Sequence, residues 1–361
     1  MSRPAVRALA PYVSGTSTEE VRRRFGHERI VKLGSNENPL GTSPLALAAI
    51  RTADRLHLYL DDAHDALRER LASRERLHRD HVILGHGSNE IVNLIAQTFF
   101  DPGDEIVMGD PTFALFRLAA SLVGAVPLEI PLRSGVHDIE RMLAAVGPRT
   151  KAFFVCDPNN PTGTVLDARA WEQLFAALPP EVLLVIDRAY DEYLDAPGFD
   201  LARLILGRGN VVVLRTMSKV YGLASLRFGY AFGDRETIGW MQRVRLPFNV
   251  SHPSALGAAA ALEDDAFVAR SIAHNAAERA RVVDALMRSG HSIYPSGANF
   301  YAVTVGLPAQ QAYEALLERG VIVRSGDALR IPGRLRVTVG TSEENDIFLA
   351  ALADVEKATA S

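Results

Sequence analysis

Between residues 81 and 233 the chain alternates short apolar runs with longer stretches whose apolar residues recur at helical spacing. The runs are HVILG (81–85), EIVMG (105–109), KAFFVC (151–156), EVLLVID (181–187), NVVVLRT (210–216) and RFGYAFG (227–233). They are rich in Val, Ile and Phe and bounded by Gly, Pro or Asp, the pattern of buried strands. The intervening DARAWEQLFAAL (167–178) places its apolar residues on one helical face. Runs beginning near 152, 182 and 211 recur about every 30 residues, the length of a strand–helix–strand unit. Such strands should be parallel and covered on both faces by helices.

The last hundred residues follow another rhythm. ARSIAHNAAERARVVDALMRSG (269–290) reads as a long amphipathic helix that stops at Gly290. A strand-like NFYAVTV, a helical QQAYEALLERG and two further strand-like runs, VIVRSG and RLRVTVG, come after it. The first 35 residues have no strand ladder of their own and must pack on another element. The expected fold class is α/β: a large domain at 40–255 with a mostly parallel sheet flanked by helices. A smaller α+β domain would be formed by the N-terminal arm, 1–39, together with 256–361.

Composition narrows the picture further. The chain has 361 residues, 48% apolar and 23% charged, which excludes a disordered chain and supports a sizeable core. With 39 Lys and Arg against 43 Asp and Glu, the formal charge is −4, giving no basic field for nucleic acid. No apolar run approaches the roughly 18 residues that cross a bilayer. Arg7 and Pro11 interrupt the opening residues, so a signal peptide is not expected. The single cysteine, Cys156, points to a reducing compartment. These features fit a cytoplasmic enzyme with no nucleic-acid or membrane partner, an inventory that many other proteins share.

Four segments at run ends carry candidate chemistry, and open parallel sheets collect chemistry at the carboxyl ends of their strands. Gly-His-Gly-Ser-Asn-Glu (85–90) is a Gly-rich turn opening a helix, where backbone N–H groups suit a phosphate. An ordinary strand–helix turn would read the same way. Asp-Pro-Asn-Asn-Pro-Thr-Gly (157–163) is a dense turn cluster that could be mere punctuation, and its X–Pro bonds, the one before Pro161 among them, carry a small enough penalty to allow either isomer. Asp187 ends an apolar run, where it is either a partly desolvated carboxylate in need of a partner or a helix cap; Tyr190 follows three residues on. Around Lys219, residues Thr216, Ser218 and Arg227 offer two hydroxyls and a guanidinium that match phosphate geometry.

The order and spacing of these segments resemble those of the fold-type I pyridoxal-phosphate enzymes of the class I/II aminotransferase group. Within it, the chain is most similar to the histidinol-phosphate aminotransferase family. The resemblance runs from Pro11-Tyr12 through Asn36-Glu37-Asn38-Pro39 to Arg336-Val-Thr-Val-Gly-Thr341. It implies pyridoxal 5'-phosphate as cofactor, no metal site, a role in histidine biosynthesis, and a homodimer with shared sites. Lys219 would bond the pyridoxal aldehyde and shuttle the substrate proton. Asp187 would pair with the pyridine nitrogen. Asn160 and Tyr190 would hydrogen-bond the ring oxygen, and Phe113 would stack on the ring. Ser88, Asn89, Thr216, Ser218 and Arg227 would hold the phosphate, the first two chiefly through backbone amides. Tyr59 would reach the phosphate of the neighbouring subunit. Arg336, Arg324, Tyr12 and Asn36 would contact the substrate.

Several residues depart from the family pattern. Asp-Arg-Ala-Tyr (187–190) replaces the more common Asp-Glu-Ala-Tyr, placing a cation beside Asp187, with its side chain expected to point away. Tyr-Leu-Asp replaces Tyr-Pro-Asp, Phe113 a frequent Tyr, and Leu-Ala-Ser-Leu-Arg the usual Leu-Ala-Gly-Leu-Arg. No catalytic group is lost. The reaction implied is amino transfer from histidinol phosphate to 2-oxoglutarate, giving imidazole-acetol phosphate and glutamate. A phenylalanine-type aromatic aminotransferase and a decarboxylase of a phosphorylated amino acid share these motifs. A binding protein that kept the fold would have had no reason to retain Lys219.

Overall fold

The computed structural model describes residues 2, 4–7, 9, 15–196 and 198–360. A short strand β1 (Val31–Lys32) leads into the main sheet. That sheet is built from β2 (Val82–His86), β3 (Glu105–Asp110), β4 (Val126–Pro131), β5 (Thr150–Cys156), β6 (Leu183–Asp187), β7 (Val211–Thr216) and β8 (Phe228–Gly233). Their spatial order is β2-β8-β7-β6-β5-β3-β4. All neighbours pair in parallel except β8, which runs antiparallel to both β2 and β7. Sequence patterning gives six of the seven. It misses β4, whose Pro127, Glu129 and Pro131 break the apolar run; proline is tolerated there because β4 is an edge strand.

Burial on both faces explains why the central runs are continuously apolar rather than alternating. Successive residues of a strand point to opposite faces. Thus Phe153, Leu184, Ile186, Val211 and Val213 join one core, while Phe154, Leu183, Val185, Val212 and Leu214 join the other. Helices cover both faces. The helix Ala168–Ala177 starts where Asp167 accepts the Ala170 N–H at 2.7 Å.

The smaller body holds β9 (Phe300–Thr304), β10 (Val321–Ile322), β11 (Arg324–Ser325) and β12 (Arg334–Thr338). Strands β11, β12 and β9 form an antiparallel sheet in that order, and β1 pairs in parallel with β10. The N-terminal segment therefore completes a ladder begun 290 residues later, Val31 standing opposite Val321. It also joins the two small sheets, since Leu33 donates to Ile322 at 2.7 Å and accepts from Thr338 at 2.8 Å. On this pairing we propose that 1–39 and 256–361 act as one body beside a 40–255 cofactor body. The long helix runs Asp265–Arg288, four residues ahead of its expected start. Asp264 moves the start forward by accepting the Phe267 N–H at 3.2 Å and the Ser43 hydroxyl at 2.7 Å. Among the described residues no helix is long and apolar enough to cross a membrane.

Phe154 lies at the centre of one core, its ring 4.8 Å from Phe116 and 6.3 Å from Phe100. Phe154→Ala should cost about 3–5 kcal/mol of stability by leaving a cavity between sheet and helices. Denaturant unfolding of the cofactor-free protein measures it.

Candidate active site

Strands β3, β5, β6 and β7 pair in parallel and β2 runs in the same direction across the antiparallel β8, so their carboxyl ends share one edge of the sheet, from which the candidate residues extend. Strands β5 and β6 end in register, Cys156 opposite Asp187, and Asp187 stands opposite Leu214 of β7. Asp187 is buried and accepts the Ala189 N–H at 3.0 Å. Burial pushes its carboxyl up to about 6, while the Ala189 N–H and then the Lys219 ammonium act in the opposite direction. Lys219 lies three residues beyond the end of β7 and keeps some accessible surface. Desolvation, then the positive charges of Arg336 and Arg227, lower its amine to about 8; Glu37 and Asp187 offset part of this. Its Nζ sits 5.6 Å from the centre of the Tyr190 ring.

Tyr190 is buried, which raises its phenol, and it packs edge-on to Phe300 at 5.2 Å. The hydroxyl accepts a 2.8 Å hydrogen bond from Asn36 Nδ2. Asn36 is buried at φ 54°, with its N–H donating to Thr338 Oγ1 at 2.9 Å and its carbonyl accepting from Asn299 Nδ2 at 3.1 Å. Asn160 accepts from Arg336 Nη1 at 2.7 Å, and Arg336 Nη2 donates to the Gly34 carbonyl at 2.8 Å. Arg324 is the cross-strand neighbour of Arg336. Its guanidinium lies against Gly15, where an added Cβ would be 2.9 Å from Nη1.

The candidate phosphate cradle forms where β2 gives way to the helix Gly87–Phe99. That helix begins inside the Gly-rich turn itself, so Ser88 and Asn89 occupy its first turn. Arg227, at φ 53°, lies over this helix end, and a Cβ on Gly87 would come within 2.5 Å of its Nη2. A Cβ on Gly229 of β8 would collide with the Ser88 backbone nitrogen, so two glycines keep the helix end open and close to the sheet. Thr216 Oγ1 donates to Ser218 Oγ at 2.9 Å and accepts the Ser218 N–H at 3.1 Å. The Asn89 side chain is exposed, leaving its backbone as the part that faces the turn.

Phe113 is half-buried and packs edge-on to Phe116 at 5.5 Å. Tyr59 is 84% exposed, its ring 4.6 Å from Phe248. Tyr12 lies outside the described residues. The cis bonds precede Pro111 and Pro158; the bond before Pro161, which could have taken either isomer, is trans. The 159–164 turn closes instead through Asn159 and Thr164, whose carbonyl accepts the Asn159 N–H at 2.8 Å, and through Gly163 N–H to the Asn159 carbonyl at 2.6 Å. Asn299 and Thr338, which fix Asn36, were not singled out in the sequence: they lie in ordinary strand-like runs with no motif around them.

Comparison with known proteins gives a consistent result. Residues 28–352 match the family model described as aminotransferase class I and II. The histidinol-phosphate aminotransferase of Moorella thermoacetica is 41% identical over 356 residues, covering 98% of this chain and 92% of that protein. The chain belongs to the histidinol-phosphate aminotransferase family. A second member, from Halalkalibacterium halodurans, is also 41% identical, covering 98% of this chain and 96% of its own length. The crystal structure of the Sinorhizobium meliloti enzyme, in complex with pyridoxal 5'-phosphate, superposes with a TM-score of 0.90. It is 27% identical and covers 99% of this chain and 97% of that one. The large mixed sheet with a smaller sheet-bearing body is therefore the fold-type I architecture.

The donor set fits pyridoxal phosphate. A nucleophilic amine, a buried carboxylate with no cation at hydrogen-bond distance among the described residues, and an open helix N-terminus under a guanidinium occupy one sheet edge. In the cofactor-free protein the reactivity of Lys219 toward an amine-selective reagent should rise with pH about a midpoint near 8. An ordinary lysine does so near 10.4. Competitive labelling read by peptide mass spectrometry checks this, and a midpoint above 10 would contradict the desolvated amine.

Proposed function

We propose that the chain is a pyridoxal-phosphate-dependent aminotransferase that moves the amino group of histidinol phosphate to 2-oxoglutarate. The observation that carries the substrate assignment is the Arg324–Arg336 pair, directly opposite on β11 and β12, so that both side chains leave one face of the sheet. Two guanidinium groups on one face suit a phosphate dianion better than the single carboxylate of an aromatic amino acid. Family membership supports the same donor.

When bound, the cofactor supplies an aldehyde that takes up amines and a ring that accepts electrons from the substrate Cα. The residues around it divide the remaining work. Lys219 is the amine that would hold the aldehyde and, when free, take the proton from the substrate Cα; its lowering to about 8 in the cofactor-free protein favours the neutral, nucleophilic form. Asp187 keeps a proton on the ring nitrogen. A cation placed against it would return its carboxyl toward the ordinary range and favour the charged pair. Tyr190 and Asn160 orient the ring oxygen, and Phe113 covers one ring face. Thr216, Ser218, Arg227 and the N–H groups of Ser88 and Asn89 bind the phosphate. Arg336 and Arg324 take the substrate's anionic group, with Asn36 beside them; Tyr12, outside the described residues, is assigned to the substrate by the family resemblance alone. The reaction is placed in the cytoplasm, where the Cys156 thiol stays reduced.

A homodimer is part of the same reading. Tyr59, Leu56, Leu246 and Phe248 are 84%, 67%, 70% and 44% exposed, and Tyr59 stacks near Phe248. Large apolar side chains grouped on a surface mark a contact with another protein. A second copy would cover them and carry Tyr59 to the neighbouring phosphate. Sedimentation of the holoenzyme at micromolar concentration should give twice the 39.3 kDa chain mass. A monomeric, fully active holoenzyme would remove the shared site.

Substrate choice is tested by mixing the pyridoxal form with histidinol phosphate or phenylalanine and following loss of the visible cofactor band. Histidinol phosphate should react faster by more than about tenfold, or roughly 1.4 kcal/mol. The reverse preference would overturn the assignment in favour of an aromatic substrate. Arg324→Gln should weaken the phosphorylated donor by about 1.5–3 kcal/mol and change phenylalanine turnover far less. Lys219→Ala should abolish the visible band.

A further inference from the structure

We propose that Arg188 is a positioning residue: its single buried guanidinium clamps the 157–163 loop to the 187–191 turn and so fixes Asn160, Asp187 and Tyr190 relative to one another. The inference rests on the cofactor reading above and assigns a task to a residue outside the cofactor's own contacts. Arg188 is 1% exposed. Its Nη1 donates to Asp157 Oδ2 and its Nε to Asp191 Oδ1, each at 2.6 Å. The guanidinium carbon lies 5.0 Å from the Phe199 ring centre and 6.0 Å from that of Trp171, so aromatic faces seal it from solvent.

Both partners of Arg188 are tied onward. Asp157 uses its other oxygen to accept the Leu166 N–H at 2.8 Å, so one carboxylate holds both ends of the turn that carries Asn160. Asp191 uses its other oxygen to accept from Arg215 of β7, four residues before Lys219. Asp157, Arg188, Asp191 and Arg215 thus alternate in sign beneath the ends of β5, β6 and β7. Backbone bonds run alongside: Asp157 N–H to the Asp187 carbonyl at 2.9 Å and Arg188 N–H to the Leu214 carbonyl at 3.0 Å. The consequence reaches the substrate side, because Asn160 accepts from Arg336.

A planar guanidinium reaches carboxylates on two loops through two nitrogens held in fixed relation, whereas an ammonium offers one nitrogen on a flexible stem and a carboxylate offers no donor. The Glu more common at this position in the family would set three carboxylates together in this chain. The clamp also acts through geometry rather than through charge on Asp187. Burial, the Ala189 N–H and Lys219 set the protonation of Asp187, and the charge of Arg188 is matched by Asp157 and Asp191.

The test compares wild type, Arg188→Lys, and the double variant Arg188→Met with Asp157→Asn, which removes both charges of one pair. Cofactor-free proteins are melted, then titrated with pyridoxal phosphate, and the visible circular dichroism of the bound ring is recorded. The double variant should melt within about 4 °C of wild type. It should nonetheless bind the cofactor about tenfold more weakly or worse, with diminished ring dichroism. If it fails to fold, Arg188→Lys is decisive: a folded lysine variant should show the same loss in part, because one nitrogen on a flexible stem replaces the guanidinium's two fixed contact points. A folded variant with unchanged affinity and dichroism would reduce Arg188 to a structural residue and overturn the proposal. Wild-type protein that takes up no pyridoxal phosphate would instead defeat the cofactor reading on which the proposal stands.

Discussion

The structure turns on one electrostatic arrangement, a carboxylate and an amine taken out of water at the same sheet edge. Water would hold the two groups more than six pH units apart. Burial moves Asp187 up to about 6 and Lys219 down to about 8, so each lies within about two units of the other and both can change charge near neutrality. Desolvation in this direction is unfavourable for either group alone. It persists because strands apolar on both faces surround the pair, and because each group softens the penalty on the other. The doubly buried parallel sheet is what allows charged side chains to be dry and yet lie at a loop-lined edge that small molecules reach.

The smaller body is built into that edge rather than set beside it. Residues 31–38 leave the β1–β10 ladder and pass between the two bodies, delivering Asn36 to the Tyr190 hydroxyl and the Gly34 carbonyl to Arg336. Arg336 belongs to the small sheet, but it also donates to Asn160 of the large body. Each side of the pocket therefore supplies a partner to the other, and the polar groups that join the two bodies are the same ones proposed to meet cofactor and substrate.

What the sequence reveals of this depends on how local each feature is. The central strands are legible because burial on both faces leaves an unbroken apolar run. Asp187 and Lys219 are legible because a polar residue ending such a run stands out. The antiparallel direction of β8 leaves no mark on its own composition, and β4 hides behind the prolines that an edge position permits. Asn36 and Tyr190 are 154 positions apart, so their hydrogen bond cannot be read before the fold is known. Arg188 is the instructive case. The sequence shows an unexpected cation beside the carboxylate proposed to pair with the pyridine nitrogen, and raises the question of its electrostatic effect. Its answer lies 31 residues upstream in Asp157, brought within reach only by the register of β5 and β6.

Alternating side-chain direction completes the explanation. Along an extended chain, neighbours point to opposite sides, so a carboxylate aimed at the cofactor edge places the next side chain beneath the sheet end. Position 188 is thus a buried, polar-lined site whatever residue fills it, and its charge must match that of the loops below. Asp157 and Asp191 supply two negative charges there, and a guanidinium answers both through two fixed nitrogens while lying against the Phe199 and Trp171 rings. A substitution that looks like a threat to the chemistry of Asp187 is, in three dimensions, the complement of two acids that the same chain carries on neighbouring turns.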